Sequence, residues 1–185
     1  ADIFGEHYKN KTYAVRSSAL DEDGNQFSFA GQFETFLHVD FENIEEKIKA
    51  IWKSVLADRV LKYRKENGLD LQLGIGVIVQ EMVEAEVAGV AFGIDPISGE
   101  EGSKVISAVY GLGEGLVSGE LDADTFKISP QGVEKQLAEK KYAFVRAQNQ
   151  KGIEKIEIAP EKQNQATLNS EQLQQISKLL DRLKE

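Results

Sequence analysis

The chain has 185 residues, a net charge of −9 and no cysteine. This length suits one domain or two small lobes, and the lack of cysteine excludes disulfides, thiolate metal sites and cysteine nucleophiles. The acidic charge argues against nonspecific binding to nucleic acid or anionic lipid. No stretch reaches the roughly 18–20 apolar residues of a membrane span, and the polar N-terminus does not resemble a signal peptide, so we expect a cytoplasmic location.

The N-terminal half predicts two strands and a long helix. Residues 12–19 form a short apolar run, and residues 33–39 alternate apolar and polar side chains, which is the strand period. Residues 20–32 between them are rich in Gly, Asp and Ser, which predicts an exposed connection. Apolar residues at three- and four-residue spacing predict a helix over residues 43–68, with a break near Asp58.

The C-terminal half predicts a cluster of strands and a final helix. Residues 75–83 are almost continuously apolar and β-branched, as expected of a buried strand. Further strands are predicted at residues 86–96, 103–111, 124–130 and 152–160. An amphipathic helix follows, with Asn169 or Ser170 as its N-cap. Strands clustered between helices indicate an α+β fold with a mostly antiparallel sheet.

A glycine-rich segment interrupts these strands with the sequence YGLGEGLVSGE at residues 110–120. A plain hairpin needs one or two glycines, so four of them suggest that the backbone approaches something closely, and phosphate is the usual candidate. A surface loop without a ligand is the alternative, because a single Gly-rich run is a weak signal. The sequence contains neither a P-loop motif nor a nucleophile elbow.

Four stretches in order resemble one family. They read AVRSSALDED, SFAGQFETFLHV, VIVQEMVEAEVAGVAFGIDPISG and VYGLGEGLVSGELDADTFKIS, and they extend over residues 14–129. They are similar to the N-terminal nucleotide-binding domain of phosphoenolpyruvate synthase, pyruvate phosphate dikinase and their relatives, including rifampicin phosphotransferases and glucan, water dikinases. The resemblance implies an ATP-grasp-like fold of two α+β lobes, of which residues 1–185 would be a single partial domain.

The resemblance implies that Arg16 contacts the nucleotide phosphates and is the catalytic residue, since a guanidinium binds phosphate oxygens bidentately. A strand-end arginine in a surface salt bridge is the alternative. Gly31 and Thr35 match family positions near the phosphates, and for Thr35 the alternative is an ordinary strand threonine. The connection that holds Gly31 would then act as a mobile cover that excludes water.

Residues 80–83 match the family hinge that binds adenine. They are Gln80, Glu81, Met82 and Val83. An extended hinge would offer a carbonyl and an N–H to the base, with Gln or Glu side chains assisting and Met82 packing against the ring. A core strand with one Met is the alternative.

Three residues of the Gly-rich segment match the family loop in the nucleotide cleft. They are Gly113, Glu114 and Ser118. Glycine would let main-chain N–H groups approach the triphosphate, and Ser118 would add a hydroxyl donor. Glu114 would order the loop or reach ribose or metal.

Asp95 and the two histidines are not assigned to catalysis. The stretch GVAFGID departs from the family pattern by losing a threonine hydroxyl, so we predict that Asp95 is a turn aspartate. The family carries its phosphoryl group on a histidine within a Gly-Gly-rich motif, which neither His7 nor His38 occupies. We expect His38 to be structural.

The resemblance implies ATP and Mg²⁺ as ligands, and phosphoryl transfer through a histidine carrier on a separate domain to pyruvate or a related acceptor. The family's phosphate-binding lysine, metal-binding glutamate and Leu-Gln-x-Arg-Pro strand have no counterpart here. We therefore expect a fragment, truncated at both ends and inactive alone, whose metal ligands lie in a missing C-terminal segment. Its partners would be the phosphohistidine and acceptor domains of the parent chain, with oligomeric state left open. The alternative is a non-catalytic, ATP-grasp-derived binding or regulatory module.

Overall fold

The computed structural model describes residues 8, 10–19, 34–54, 56–66, 75–148 and 152–183. The first elements are β1 (Thr12–Ala19), β2 (Thr35–Asp40), a 3-10 turn (Phe41–Asn43), α1 (Ile44–Ser54), α2 (Asp58–Glu66) and β3 (Ile75–Glu81). The later elements are β4 (Val87–Phe92), β5 (Lys104–Tyr110), α3 (Glu114–Val117), β6 (Asp124–Ser129), β7 (Gly132–Gln136), β8 (Tyr142–Arg146), β9 (Ile153–Glu157), α4 (Pro160–Gln163) and α5 (Ser170–Arg182).

The chain divides into two compact units. The N-terminal unit comprises Ala1–Val83 with Arg146–Ile153, and the C-terminal unit comprises Glu84–Val145 with Glu154–Glu185. Sheets with antiparallel pairing are flanked by helices, which confirms the predicted α+β class. Among the described residues, none of the helices has both the length and the apolar character needed to cross a membrane.

The N-terminal unit is built on a three-stranded sheet in the order β2-β1-β3, with antiparallel pairing throughout. Side chains alternate between the two faces of a strand, so Tyr13 and Val15 point to the same face. This face packs against α1, where Ile51 is fully buried. The predicted break in the long helix is confirmed, because α1 ends at Ser54 and α2 begins at Asp58.

A β-bulge interrupts the pairing of β1 with β2. Tyr13 pairs with Val39 and Val15 pairs with Phe36, so two residues of β2 stand opposite one of β1. One of the two is His38, whose φ of 50° lies in the left-handed region. Its buried imidazole Nδ1 is 2.9 Å from the Thr12 hydroxyl. His38 is therefore structural, as the sequence predicted.

The C-terminal unit is built on an antiparallel meander in the order β4-β5-β6-β7. Its core brings Ile106 and Phe126 together with Leu173 of α5. Asn169 begins α5 with a capping box, in which its side chain accepts from the Gln172 amide and the Gln172 side chain accepts from the Asn169 amide. This confirms one of the two predicted N-caps.

A buried ion pair ties distant segments of the C-terminal unit together. Lys140 Nζ lies 2.7 Å from Asp124 Oδ1, and both side chains are almost inaccessible to solvent. Asp124 also accepts hydrogen bonds from the amides of Ala138 and Thr167, at 2.9 and 2.8 Å. Burial by itself raises the pKa of Asp124, but Lys140 and the two amides outweigh it and lower that pKa.

Two predictions about the strands were wrong. The sequence predicts a buried strand at residues 75–83, but β3 is the edge of its sheet and its residues Ile78 and Val79 are 37% and 41% exposed. An apolar run shows only that the side chains are apolar. Whether the strand is central or at the edge of the sheet depends on its pairing with strands far away in the sequence. The sequence also missed β7 and β8, whose short runs mix charged and apolar residues.

Candidate functional site

Arg16 and Thr35, two of the predicted site residues, stand opposite each other in the N-terminal unit. Arg16 on β1 pairs with Thr35 on β2 and with Ile78 on β3. Directly opposed residues point to the same face, with Cβ atoms about 5 Å apart. Gln80 lies two residues beyond Ile78 on β3, so it points to this face as well. We call the face that bears Arg16, Thr35 and Gln80 the Arg16 face.

The Arg16 face lies on the side of the sheet away from α1. Val15 and Phe36, the sequence neighbours of Arg16 and Thr35, point to the opposite face and join the core beside α1. Arg16, Thr35 and Gln80 are all exposed, and within the described residues no carboxylate forms an ion pair with Arg16. A solvent-facing guanidinium beside a hydroxyl and an amide is suited to binding a phosphate.

The segment predicted to bind adenine continues from the end of β3 to the boundary between the units, which falls after Val83. The Met82 amide donates to the Thr12 carbonyl at 2.8 Å, so the backbone of Met82 points toward β1. Backbone polar groups of successive residues point to opposite edges of a strand. The Glu81 carbonyl therefore points to the other edge of β3, where the described strands offer no partner, and Val83 follows two residues beyond the end of β3.

The side chains of this segment divide between two faces. By alternation, Gln80 and half-buried Met82 point to the Arg16 face, while Glu81 points away from it. The Glu81 carboxylate forms an ion pair with Lys11 at 2.7 Å, and an exposed pair of this kind contributes at most about 1 kcal/mol. The sequence allowed a Gln or a Glu side chain to assist, and only Gln80 lies on the Arg16 face.

The Gly-rich segment contains one helical turn, α3, where the sequence suggested a loop. Gly113 is its N-cap, and the Ser118 amide donates to the Glu114 carbonyl at 2.9 Å. Gly119 follows with a φ of 74°, the left-handed conformation in which many helices end. Backbone hydrogen bonds within the Gly-rich segment therefore form a single helical turn.

Internal packing requires glycine at two positions of this segment. Gly111 has a φ of 74°, and a β-carbon there would collide with the carbonyl oxygen of Phe144. Gly115 is buried, and a β-carbon there would collide with Leu121 and lie 2.8 Å from Cδ2 of Phe144. These glycines are explained by the protein's own contacts, without a ligand.

Gly113 is different, because the described residues give no internal reason for glycine there. Its φ is −71°, and a β-carbon would make only an ordinary 3.5 Å contact with Cβ of Ala88. Close approach of a ligand is the reason that the family resemblance predicts. Nearby, Glu114 and Ser118 are exposed, and Ser118 Oγ is 3.5 Å from the Gly115 carbonyl, at the outer limit of a hydrogen bond.

Three further positions considered in the sequence are Gly31, His7 and Asp95. Gly31 and His7 lie outside the described residues. Asp95 is a turn aspartate, as predicted, because its Oδ1 accepts from the amides of Ile97 and Ser98 at 2.9 and 3.3 Å. The Lys127 ammonium at 2.9 Å, followed by the Ile97 amide, holds the pKa of Asp95 well below its ordinary value of 3.8.

Sequence reasoning missed Phe144, which contacts the Gly-rich segment closely. The Phe144 carbonyl accepts a hydrogen bond from the Leu112 amide at 2.8 Å, and Phe144 forms an isolated parallel β-bridge with Gly111. The aromatic and β-branched residues Tyr142, Phe144 and Val145 in YAFVR are the strand signal that would have found β8. No sequence signal would have shown which residues that strand contacts.

In the part of the chain that the structure describes, there is no group of three or more His, Asp or Glu side chains able to hold a metal ion. The family expectation of Mg²⁺ therefore finds no ligand set among these residues.

Comparison with known proteins gives consistent matches. A family model described as "Pyruvate phosphate dikinase, AMP/ATP-binding domain" matches residues 2–185. Rifampicin phosphotransferase of Bacillus cereus is 42% identical over 179 residues, covering 95% of this chain and 20% of that protein. The probable phosphoenolpyruvate synthase of Archaeoglobus fulgidus is 39% identical over 176 residues, covering 92% and 23%. The prodigiosin synthesizing transferase PigC of Serratia marcescens is 38% identical over 170 residues, covering 90% and 19%. The chain spans about a fifth of the length of these relatives.

Proposed function

The chain belongs to the pyruvate phosphate dikinase AMP/ATP-binding domain family, and on that basis we propose that it binds ATP as the nucleotide-binding part of a phosphotransferase. The observation that carries the proposal is the Arg16 face, where a cation, a hydroxyl and an amide stand together on exposed strand positions. The family description supplies the nucleotide, and this face supplies side chains that fit its phosphates.

Arg16 is the phosphate-binding residue in this proposal. Its guanidinium presents a fork of N–H donors that matches phosphate oxygens, and Thr35 adds a hydroxyl donor from the neighbouring strand. On the family resemblance alone, Gly113 belongs to the proposed site as a main-chain position that a phosphate can approach without meeting a β-carbon. Gly31, Glu114 and Ser118 stay in the proposed site on the family resemblance.

Adenine is bound in this proposal by the outer edge of β3 and the residues that follow. The Glu81 carbonyl accepts from the exocyclic amine, and the Val83 N–H donates to the ring nitrogen beside it. The direction of the Met82 amide supports the choice of Glu81, because alternation along the strand then turns the Glu81 carbonyl away from β1. Met82 and Gln80 lie on the face where the base would pack or hydrogen-bond.

The nucleotide enters as its magnesium complex. ATP carries Mg²⁺ on its phosphate oxygens, and this ion keeps most of its other ligands as water. The described residues offer no group of three or more ligand side chains, and in this proposal the phosphates hold the ion. The chain's own contribution is then to orient the triphosphate and to neutralise its charge.

The activity of the whole protein is a further part of the proposal. Both units would belong to one ATP-grasp nucleotide-binding domain of a cytoplasmic enzyme. In that enzyme a phosphoryl group leaves ATP as its bond to the leaving phosphate oxygen breaks, and a bond forms to a histidine nitrogen on a separate domain. The histidine then passes it to pyruvate or a related acceptor. The names of two relatives, rifampicin phosphotransferase and probable phosphoenolpyruvate synthase, support a phosphotransferase. The histidine carrier and the inactivity of the present chain alone are our proposals beyond those names.

Calorimetric titration with Mg-ATP tests the proposal on this chain. The Arg16→Ala variant should bind about 10- to 100-fold more weakly, because a charge-assisted contact contributes roughly 1.5–3 kcal/mol. Arg182→Ala is the matched control, since it removes an exposed arginine from the last turn of α5 and should leave binding unchanged. Folded wild-type chain that binds no nucleotide, or an Arg16→Ala variant that binds as wild type, would overturn the proposed site.

A further inference from the structure

We propose that Phe144 is a positioning residue, which fixes the Gly-rich segment so that Gly113 is held where nucleotide phosphates can approach it. The inference rests on the proposed function and adds a residue on β8 that the sequence did not indicate. Phe144 contacts the segment on both sides of Gly113, once through its backbone and once through its ring. Contact at two points fixes the path of the residues between them.

The first contact is made by the backbone of Phe144. Its carbonyl accepts the Leu112 amide at 2.8 Å, and Phe144 forms an isolated parallel bridge with Gly111. On its other side, the Gly111 amide donates to the Glu86 carbonyl at 2.8 Å. Gly111 is therefore held between the residue before β4 and a residue of β8, and this fixes the chain just before Gly113.

The second contact is made by the ring of Phe144. A β-carbon added at Gly115 would lie 2.8 Å from Cδ2 of Phe144, so the ring lies directly against the backbone of α3. Leu121 closes the same space from the other direction. The ring thus limits how α3 can tilt, and α3 carries Glu114 at its first position.

A cation holds the ring in place. Lys155 on β9 places its ammonium 5.7 Å from the centroid of the Phe144 ring and 5.0 Å from that of Tyr142. A cation at this distance from an aromatic face is attracted to it. Tyr142 therefore shares the cation with Phe144. Tyr142 is not among the residues nearest to a β-carbon added at Gly111, Gly113 or Gly115.

The experiment compares nucleotides with and without phosphates. Phe144→Leu keeps an apolar side chain but loses the flat ring, and Phe144→Tyr keeps the ring as a conservative rescue. Phe92→Leu is the matched control, because it makes the same change at a 42% exposed position of β4. For each variant, dissociation constants are measured for Mg-ATP and for adenosine, and circular dichroism reports folding.

We expect Phe144→Leu to weaken Mg-ATP binding roughly tenfold, because small displacements of groups that bind a reacting ligand have large effects. Adenosine binding should stay within about twofold, because the base and the ribose do not need the phosphate-facing backbone. Phe144→Tyr should restore Mg-ATP binding, and Phe92→Leu should behave as wild type for both ligands.

Several results would overturn the inference. Unchanged Mg-ATP binding in folded Phe144→Leu would show that the ring does not position the segment. Equal losses for Mg-ATP and adenosine would show a general structural role instead. If Arg16→Ala weakens Mg-ATP binding but Phe144→Leu binds Mg-ATP as tightly as wild type, the inference about Phe144 fails and the proposed function stands. If wild type binds no nucleotide, the proposed function fails and the inference fails with it.

Discussion

Arg16 in the N-terminal unit and Lys140 in the C-terminal unit are both cations next to strands, but their surroundings are opposite. Arg16 is exposed on a sheet face, and the described residues offer it no carboxylate. Lys140 is buried 2.7 Å from Asp124, whose carboxylate also accepts two amides. A charge whose partners lie within the protein stabilises the fold, whereas an exposed charge beside other polar groups remains available to a ligand.

The largest effect that tests this contrast is on stability. Asp124→Asn keeps the shape of the side chain but leaves the Lys140 ammonium buried without a counter-charge. We expect the free energy of unfolding to fall by about 3–5 kcal/mol, measured by urea denaturation. Glu139→Gln is the control, because it removes an exposed ion pair with Lys141 and should cost less than about 1 kcal/mol.

A loss of less than about 1 kcal/mol in Asp124→Asn would mean that the buried pair contributes no more than an exposed one. The comparison also has a second arm. Arg16→Ala removes a side chain without described ion pairs, so it should change nucleotide binding and leave the unfolding free energy almost unaltered. A large destabilisation by Arg16→Ala would show that Arg16 serves the fold.

A second comparison separates two glycines of the same segment. Gly111→Ala places a β-carbon against the Phe144 carbonyl in a left-handed conformation, which should cost about 2 kcal/mol or more in unfolding free energy. Gly113→Ala makes only an ordinary contact at a φ of −71° that alanine adopts freely, so the unfolding free energy should change by less than about 1 kcal/mol. Thermal or urea unfolding measures both.

The smaller effect of Gly113→Ala on stability should not be matched by a small effect on nucleotide affinity. Gly113→Ala should weaken Mg-ATP binding in a chain that remains stable, because the added methyl group lies where the phosphates are proposed to approach. Gly113→Ala with unchanged affinity would remove Gly113 from the proposed site. It would leave the structural explanations of Gly111 and Gly115 intact.

The sequence predicted the parts of the fold that depend on local chemistry. The split between α1 and α2, the N-cap at Asn169 and the α+β class are all confirmed, because helical spacing and capping residues act over a few positions. The family assignment from ordered motifs is confirmed as well. The short strands β7 and β8 were missed, although each pairs with its neighbour in the chain, because five-residue runs carry little periodic signal.

The candidate site could be predicted from the sequence only as a set of residue types. Motifs indicated Arg16 and Thr35 but could not state that they are cross-strand neighbours, which depends on the register of β1 and β2. The Gly-rich motif gave all its glycines one explanation, whereas the structure gives Gly111 and Gly115 a role in packing against Phe144. Such roles depend on contacts between residues about 30 positions apart, which a local pattern does not contain.

The smallest expected effect concerns the turn at Asp95, whose carboxylate is also satisfied by the protein itself. Lys127 and the Ile97 amide lower the pKa of Asp95 in the folded chain below its ordinary value of 3.8. A depressed folded-state pKa gives stability that is present above the unfolded pKa and is lost as pH falls through the folded pKa. The difference in unfolding free energy between wild type and Asp95→Asn should therefore be constant near neutral pH and should shrink below about pH 4.

Carbon NMR of the Asp95 carboxyl group measures the same effect directly. The midpoint of this group should lie below 3.8 in wild type and should rise toward 3.8 in Lys127→Met, which keeps the carboxylate but removes the largest cause of the shift. Coincident midpoints in the two proteins would contradict the role given to Lys127. Mg-ATP affinity should be equal in both proteins, because this turn is held by its own hydrogen bonds and has no place in the proposed nucleotide site.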